Sequence, residues 1–179
     1  MDSVGTRKIV ILSGSLSLQS STKKLLIYCQ KLLENHGANV DFLCVRDLQL
    51  PMMDPGTNEV PSQVTYLRET VRKADAVLVG SPEYHAGPSG ALKNAIDYLE
   101  YKIVGGKPVG LICMSGGPRG GINTLNSLRL TFRALHTNVI PEQLAVCSED
   151  LGPFGETSTP QMTSALKKLL DSLLREAQR

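Results

Sequence analysis

Short runs of apolar residues alternate along this chain with segments of helical periodicity, and this alternation constrains the fold more than any other feature. The runs lie at residues 9–12, 40–45, 76–79, 109–114 and 139–146. Because most of them are apolar at successive positions, we expect strands that are covered on both faces. Parallel strands need crossover connections, which are usually helices. The sequence therefore predicts an α/β protein with a doubly wound five-stranded parallel sheet and helices on both faces.

The intervening segments carry apolar residues three and four positions apart, as amphipathic helices do. Helices are expected to begin at Ser20 or Ser21 and at Ser62 as an N-cap, and to cover residues 91–99, 123–135 and the segment after 160. Gly37 is expected to end the first helix, since glycine readily takes the left-handed conformation there. No internal repeat or second hydrophobic pattern is present, so we predict one domain spanning residues 1–179.

Composition excludes several classes of protein. Among 179 residues, 19 are basic and 17 acidic, and a formal net charge of +2 gives no reason to expect nucleic acid or an anionic membrane as partner. No apolar run is long enough to span a bilayer, and the N-terminus lacks the pattern of a signal peptide. Four separated cysteines show no metal-ligand or disulfide spacing, so we expect reduced thiols, no metal site and a cytoplasmic protein.

Three loops follow strands of the predicted sheet and are expected to lie at one edge. In a doubly wound sheet, ligands bind outside the carboxyl ends of the strands, where the strand order reverses. The loops are residues 13–22 (loop one), 80–90 (loop two) and 115–121 (loop three). Candidate functional residues are therefore sought in these three segments.

Loop one has six hydroxyl side chains in ten residues and opens a helix. A helix N-terminus offers unpaired N–H groups and a partial positive charge, so a phosphate is the ligand it favours. The loop has neither the lysine of a P-loop nor the glycine spacing of a dinucleotide site. This pattern favours a phosphate monoester that is bound rather than transferred; the alternative is that the serines only cap the helix and shape the turn.

Loops two and three carry a resemblance to a known family. The stretch SPEYHAGPSGALKNAIDYL begins at Ser81, and SGGPRGGIN begins at Ser115. Together with KADA from Lys73 and KPVGL from Lys107, they resemble the NADPH-dependent FMN reductase family. Within that family the chain is most similar to the FMN-dependent azoreductase and quinone or chromate reductase branch. The resemblance runs from about residue 8 to residue 146.

The resemblance implies a flavodoxin-like domain that binds one FMN non-covalently. It implies phosphate contacts from loop one, contacts along the flavin ring from loop two, and an approach to the pyrimidine end from loop three. The residues implied are Ser15, Ser17, Ser20, Ser21, Thr22, Pro82, Glu83, Tyr84, His85, Ser115, Gly116 and Gly117. Many members of the family carry arginine at the position of Ser17 and asparagine at that of Thr22.

The activity implied by the resemblance is a ping-pong transfer of hydride from NADPH, or NADH, to FMN and onward to a quinone, azo compound, metal oxyanion or free flavin. No side chain is certain to be catalytic, because the flavin carries the chemistry. His85 is a candidate donor to flavin or substrate, or a positioning group. Arg119 is the candidate contact for the nucleotide, or an ordinary solvent-facing arginine. The family also implies a homodimer or homotetramer.

Two other functions compete with this interpretation. Cys113 and Arg119 match the Cys-x5-Arg pattern of phosphatases, in which a thiolate attacks phosphate. A flavodoxin-type electron carrier would bind FMN without reacting with the nucleotide. Such carriers are typically acidic and pack tryptophan against the flavin, whereas this chain has a pI near 8.3 and no tryptophan.

Overall fold

The computed structural model describes residues 6–117 and 120–178 and has a five-stranded parallel sheet at its centre. The strands are β1 (Lys8–Ser13), β2 (Asn39–Cys44), β3 (Ala76–Tyr84), β5 (Pro108–Ser115) and β6 (Asn138–Cys147), and the two-residue strand β4 (Gly87–Pro88) pairs antiparallel with the end of β3. The order across the sheet is β2-β1-β3-β5-β6. The predicted doubly wound parallel sheet is confirmed, with β2 at an edge and the strand order reversing between β1 and β3.

Helices cover both faces of the sheet. They are α1 (Ser21–Asn35), α2 (Val45–Leu48), α3 (Ser62–Arg72), α4 (Gly90–Asp97), α5 (Tyr101–Val104), α6 (Ile122–Ala134) and α7 (Pro160–Glu176). Side chains of β1 alternate between two cores: Ile9 and Ile11 pack with α1 and α7, whereas Val10 and Leu12 pack with α3 to α6. Successive apolar residues in the strands therefore serve two faces, as the sequence pattern predicts.

Helix ends follow local chemistry where the sequence offers a cap. The Ser20 side chain accepts a hydrogen bond from Lys23 N at 3.0 Å, and Gly37 ends α1 with φ +81°. The prediction that Ser62 caps α3 is wrong: Pro61 is the N-cap and Ser62 is the first helical residue. Proline has no side-chain acceptor, so this helix begins without a side-chain cap.

Four short elements were not predicted: α2, α5, β4 and a 3-10 turn at Ser148–Asp150. Each has four residues or fewer, which is less than the length over which apolar periodicity can be read. Around Pro141 the pairing of β5 with β6 shifts register, which agrees with proline being unable to donate to a ladder. Within the described ranges, none of the helices has the length and apolar character that crossing a membrane requires.

Candidate functional site

Loops one and two are joined directly at the carboxyl edge of the sheet. Gly14 N donates to Gly80 O at 2.8 Å, and Ser89 Oγ donates to Gly14 O. Ser89 N in turn donates to Ser81 Oγ at 3.2 Å, and Ser81 Oγ donates to Pro82 O at 2.7 Å. Both serines are buried, so these hydroxyls fix the relative position of the two loops where the strand order reverses. Sequence reasoning assigned no role to either hydroxyl, although serine before a helix is a recognisable cap signal.

Loop one uses part of its hydroxyls to hold its own shape. Ser15 Oγ accepts from Ser17 N at 3.3 Å, and Ser17 Oγ accepts from Gln19 N at 3.2 Å. Ser20 also caps α1. These bonds show that the serines of loop one cap the helix and shape the turn, which is the role that the alternative interpretation gave them. The capped N–H belongs to Lys23, which leaves the N–H groups of Ser21 and Thr22 without intrahelical partners. Beside its structural bonds, loop one thus keeps a helix start with free N–H groups, the kind of feature that favours anions.

Two further elements support the first turn of α1. Lys23 Nζ pairs with Asp47 Oδ2 of α2 at 3.1 Å. On the other side, Gly155 takes φ +90° in the segment between β6 and α7, and any Cβ there would overlap the backbone of Lys24. That segment is tied back to the end of β6, since Asp150 Oδ2 accepts from Cys147 N at 2.9 Å. The helix start in loop one is therefore packed between α2 and this segment.

Loop two is a tight hairpin in a strained conformation. β3 runs to Tyr84, β4 returns from Gly87, and the two residues between them are His85 and Ala86, with φ values of +50° and +60°. Two-residue hairpins of this kind favour asparagine and glycine, because other L-residues are disfavoured there by roughly 1–2 kcal/mol each. Tyr84 and His85 are exposed at the turn, whereas Pro82 is buried. Such strain is often found where a backbone is held for a ligand.

The Glu83 carboxylate links loop two to loop three. Thr124 Oγ1 donates to Glu83 Oε2 at 2.9 Å from the first turn of α6. A Cβ built on Gly120 would lie 2.7 Å from Glu83 Oε1 and 2.6 Å from Ser115 Cβ. Glu83 is thus partly buried and accepts a hydrogen bond within the protein, so its carboxylate links loop two to α6. Nothing in the local sequence marks this contact, because Thr124 is distant along the chain.

Loop three presents open backbone. Ser115 is buried and donates through Oγ to Gly117 O at 2.7 Å. Gly116 is exposed and Gly117 half-buried, and among the described residues no atom would lie within 4 Å of a Cβ on either. Neither has a positive φ, so the fold itself does not require glycine at these positions. Pro118 and Arg119 lie outside the described residues, and the role expected of Arg119 stays a prediction.

Cys113 does not have the properties of a phosphatase nucleophile. Its side chain is fully buried in β5, and burial, reinforced by the charge of Glu83, raises the pKa of the thiol to about 12. A thiol in that state carries almost no thiolate at neutral pH. The Cys-x5-Arg interpretation is therefore wrong for this chain.

The arrangement as a whole is one for binding. It offers peptide N–H groups, hydroxyls and glycines, and the Glu83 carboxylate accepts a hydrogen bond from Thr124. The structure brings loop one and loop two together through Ser89, and loop two and loop three together through Glu83. Chemistry at this edge would come from a bound group.

Comparison with known proteins gives a consistent result. The family model for NADPH-dependent FMN reductases matches residues 7–150. The NADPH azoreductase of Bacillus sp. (strain OY1-2) is 32% identical over 164 residues, which is 90% of this chain and 90% of that protein. The FMN-dependent NADPH-azoreductase of Staphylococcus haemolyticus (strain JCSC1435) is 33% identical over 148 residues, 80% of this chain and 78% of that one.

Solved structures agree on the fold. A flavoenzyme NAD(P)H:(acceptor) oxidoreductase from Paracoccus denitrificans superposes with a TM-score of 0.78 at 24% identity, covering 96% of this chain and 99% of that one. An archaeal flavodoxin has a TM-score of 0.67 at 16% identity, covering 96% and 99%. At these identities the likeness describes the flavodoxin-like architecture alone.

Proposed function

Because the chain belongs to the NADPH-dependent FMN reductase family, we propose that it holds FMN at the carboxyl edge of its sheet and reduces a small electron acceptor with NADPH. Membership of the family makes it an NADPH-dependent oxidoreductase. A flavodoxin-type electron carrier, which would not react with NADPH, is therefore not the function we adopt.

The uncovered glycines of loop three are the observation that carries the proposal. Gly116 and Gly117 stand next to β5, no atom of the part of the chain that the structure describes lies within 4 Å of either Cβ position, and neither has a positive φ. A flat ring that approaches the peptide closely would explain this choice of residue. The helix start of loop one offers what a terminal phosphate needs, so both ends of FMN have fitting partners in this chain.

The chain's own residues would bind and orient the cofactor. The N–H groups of Ser21 and Thr22, with the hydroxyls around them, would hold the phosphate. The hairpin from Pro82 to His85 would lie along the ring, and peptide N–H groups there would favour negative charge on it. Bound FMN would supply the hydride acceptor and electron relay that the described side chains do not provide. His85 would position the ring or the substrate.

A single open surface supports a ping-pong order of binding. Loops one to three frame one edge of the sheet, and the chain has no separate dinucleotide fingerprint. We therefore propose that NADPH and the acceptor occupy that surface in turn. Azo compounds are the acceptor class that the names of the relatives favour. Quinones, metal oxyanions and free flavin are the other acceptors to compare.

We also propose that the protein works as a homodimer or homotetramer in the cytoplasm. Large apolar side chains are exposed along the carboxyl edge, among them Leu18, 82% exposed, and Phe154, 79% exposed. Such a surface is typical of a contact with another copy. All four cysteines are free and buried, which agrees with a reducing compartment.

The test is the absorbance spectrum of the purified protein, followed by anaerobic addition of NADPH. We expect a flavin spectrum, directly or after incubation with FMN, that bleaches with NADPH and recovers when an azo dye is added. Decolourisation of the dye should then proceed catalytically. A protein that remains without flavin in excess FMN, or whose flavin does not bleach, would overturn the proposal.

A further inference from the structure

A second cleft opens beside loops one and two, on the sheet face covered by α4. Its volume is about 1030 Å³, which is large enough for a nucleotide. Its walls come from loop one, from α2 with the chain that follows it, and from the first turn of α4. The residues that matter here are Leu16, Arg46, Met52, Gly90 and Asn94.

Arg46 is the cationic side chain in the lining of this cleft, which also includes Asp47. One of its guanidinium nitrogens donates to Leu16 O, which holds the side chain against loop one. Within the described part of the chain no carboxylate pairs with Arg46, and the adjacent Asp47 is paired with Lys23 at 3.1 Å. A guanidinium has five N–H donors in a planar fork that matches phosphate geometry. Arg46 therefore retains donors for an anion in the cleft.

The other walls suit a flat apolar ring. Leu16 is 50% exposed and Met52 80% exposed, so both offer apolar surface to a ligand. Asn94 fixes the Met52 wall, since its side chain accepts from Met53 N and donates to Pro51 O, each at 2.8 Å. Gly90 leaves the floor open, because a Cβ there would meet no atom within 4 Å.

We infer that this cleft binds the adenosine end of NADPH, with Arg46 contacting the 2′-phosphate and Leu16 and Met52 packing against the base. The inference rests on the proposed function and names the place where the nucleotide is recognised. A phosphomonoester attached to an adenosine needs a cationic hydrogen-bond donor for the phosphate and an apolar surface for the base, and the cleft provides both. The cleft adjoins both loops of the cofactor site, so one extended dinucleotide can reach across the two.

The experiment compares 2′,5′-ADP with 5′-AMP by calorimetry on wild type and Arg46→Gln. We expect wild type to bind 2′,5′-ADP, and the variant to bind it about tenfold or more weakly, as loss of a charged fork on phosphate would produce. Binding of 5′-AMP should change little. In turnover, the ratio of the KM for NADPH to that for NADH should rise by about the same factor. Arg133→Gln, at the opposite end of the molecule, is the matched control.

Other outcomes separate this inference from the proposed function. If NADPH bleaches the flavin but Arg46→Gln binds 2′,5′-ADP as wild type does, the inference is wrong and the proposed function stands. If Arg46→Gln loses flavin while its nucleotide binding is unchanged, Arg46 only shapes loop one, and the inference is again overturned. Arg46→Lys should recover part of the 2′,5′-ADP affinity, since it keeps the charge without the fork. If NADPH fails to bleach the wild type at all, it is the proposed function that fails.

Discussion

At the scale of single residues, the uncovered glycines of loop three mark where the cofactor is expected. Two glycines at the same edge of the sheet are required by the fold: a Cβ on Gly80 would lie 2.6 Å from Leu26, and one on Gly14 would lie 2.8 Å from Leu92. Within residues 6–117 and 120–178, Gly116 and Gly117 have no such neighbour. If a glycine is needed by a ligand and not by the fold, a substitution there should weaken ligand binding without changing stability.

We predict that Gly116→Val lowers FMN occupancy strongly and changes the free energy of unfolding of the flavin-free protein by no more than about 0.5 kcal/mol. The added side chain would occupy space that only the ligand needs. Flavin per chain after incubation with FMN and the urea midpoint measure the two effects. Gly56→Val, in the connection between β2 and α3, is the control and should leave flavin binding unchanged. Equal flavin binding by wild type and Gly116→Val would contradict the assignment of loop three.

Residue roles could be predicted from sequence only where the chemistry is local. The hydroxyls of loop one and the cap at Ser20 follow from the type and position of the residues. Two hydrogen bonds join distant parts of the chain, one from Thr124 to Glu83 and one from Ser89 to Gly14, and no sequence pattern predicts them. The strained φ values of His85 and Ala86 could not be predicted from the sequence either, because neither residue type favours a positive φ.

At the scale of elements, the segment between β6 and α7 is a small unit that supports α1. Asp150 Oδ2 accepts from Cys147 N at 2.9 Å and from Cys147 Sγ at 3.0 Å. Ser158 N donates to Asp150 O at 2.8 Å and closes the segment. The two bonds from Cys147 hold the pKa of Asp150 below its ordinary value.

We predict that Asp150→Ala lowers the free energy of unfolding at pH 7 by about 1 kcal/mol, as expected for hydrogen bonds to a charged group near the surface. Because the folded pKa is depressed, the contribution of Asp150 is complete above its unfolded pKa of about 3.9 and is lost as pH falls through the folded value. The difference between variant and wild type should therefore narrow below about pH 4. Urea unfolding of the variant and of wild type at several pH values measures this difference in the free energy of unfolding.

Glu149→Ala is the matched control, since Glu149 is exposed in the same turn. A difference for Asp150→Ala that persisted unchanged at low pH would show that the carboxylate is not the stabilising group.

Long elements such as β1 and α7 were predicted because their periodicity extends over enough residues. α2 and α5 could not be, since four residues carry too little pattern.

At the scale of the whole molecule, the strand order decides which loops meet. Apolar runs separated by helices predict a parallel sheet, and the rule for such sheets predicts a ligand at the carboxyl edge. The pairing of β1 with β3, which places loop one against loop two, comes from the tertiary structure. The general location of the site was thus predictable, whereas the cleft around Arg46 was not, because α2 and the first turn of α4 meet only in the fold.

We predict that the protein is a dimer or larger at micromolar concentration when measured by size-exclusion chromatography with multi-angle light scattering. Leu18→Glu should shift it toward the monomer, since burying a charge in an apolar contact is unfavourable. Leu130→Glu, which changes an exposed side chain of α6, is the control and should leave the oligomeric state unchanged. A monomeric wild type would contradict the proposed assembly.

The buried serine pair that joins loop one to loop two also limits how this protein could be redesigned. Ser81 and Ser89 join the proposed phosphate end of the edge to its proposed ring end, so we expect a change that moves either serine to disturb affinity at both. Engineering toward a new electron acceptor should leave those hydroxyls intact and vary the solvent-facing rim instead. Tyr84 and Ile122 are the positions from which a library would begin.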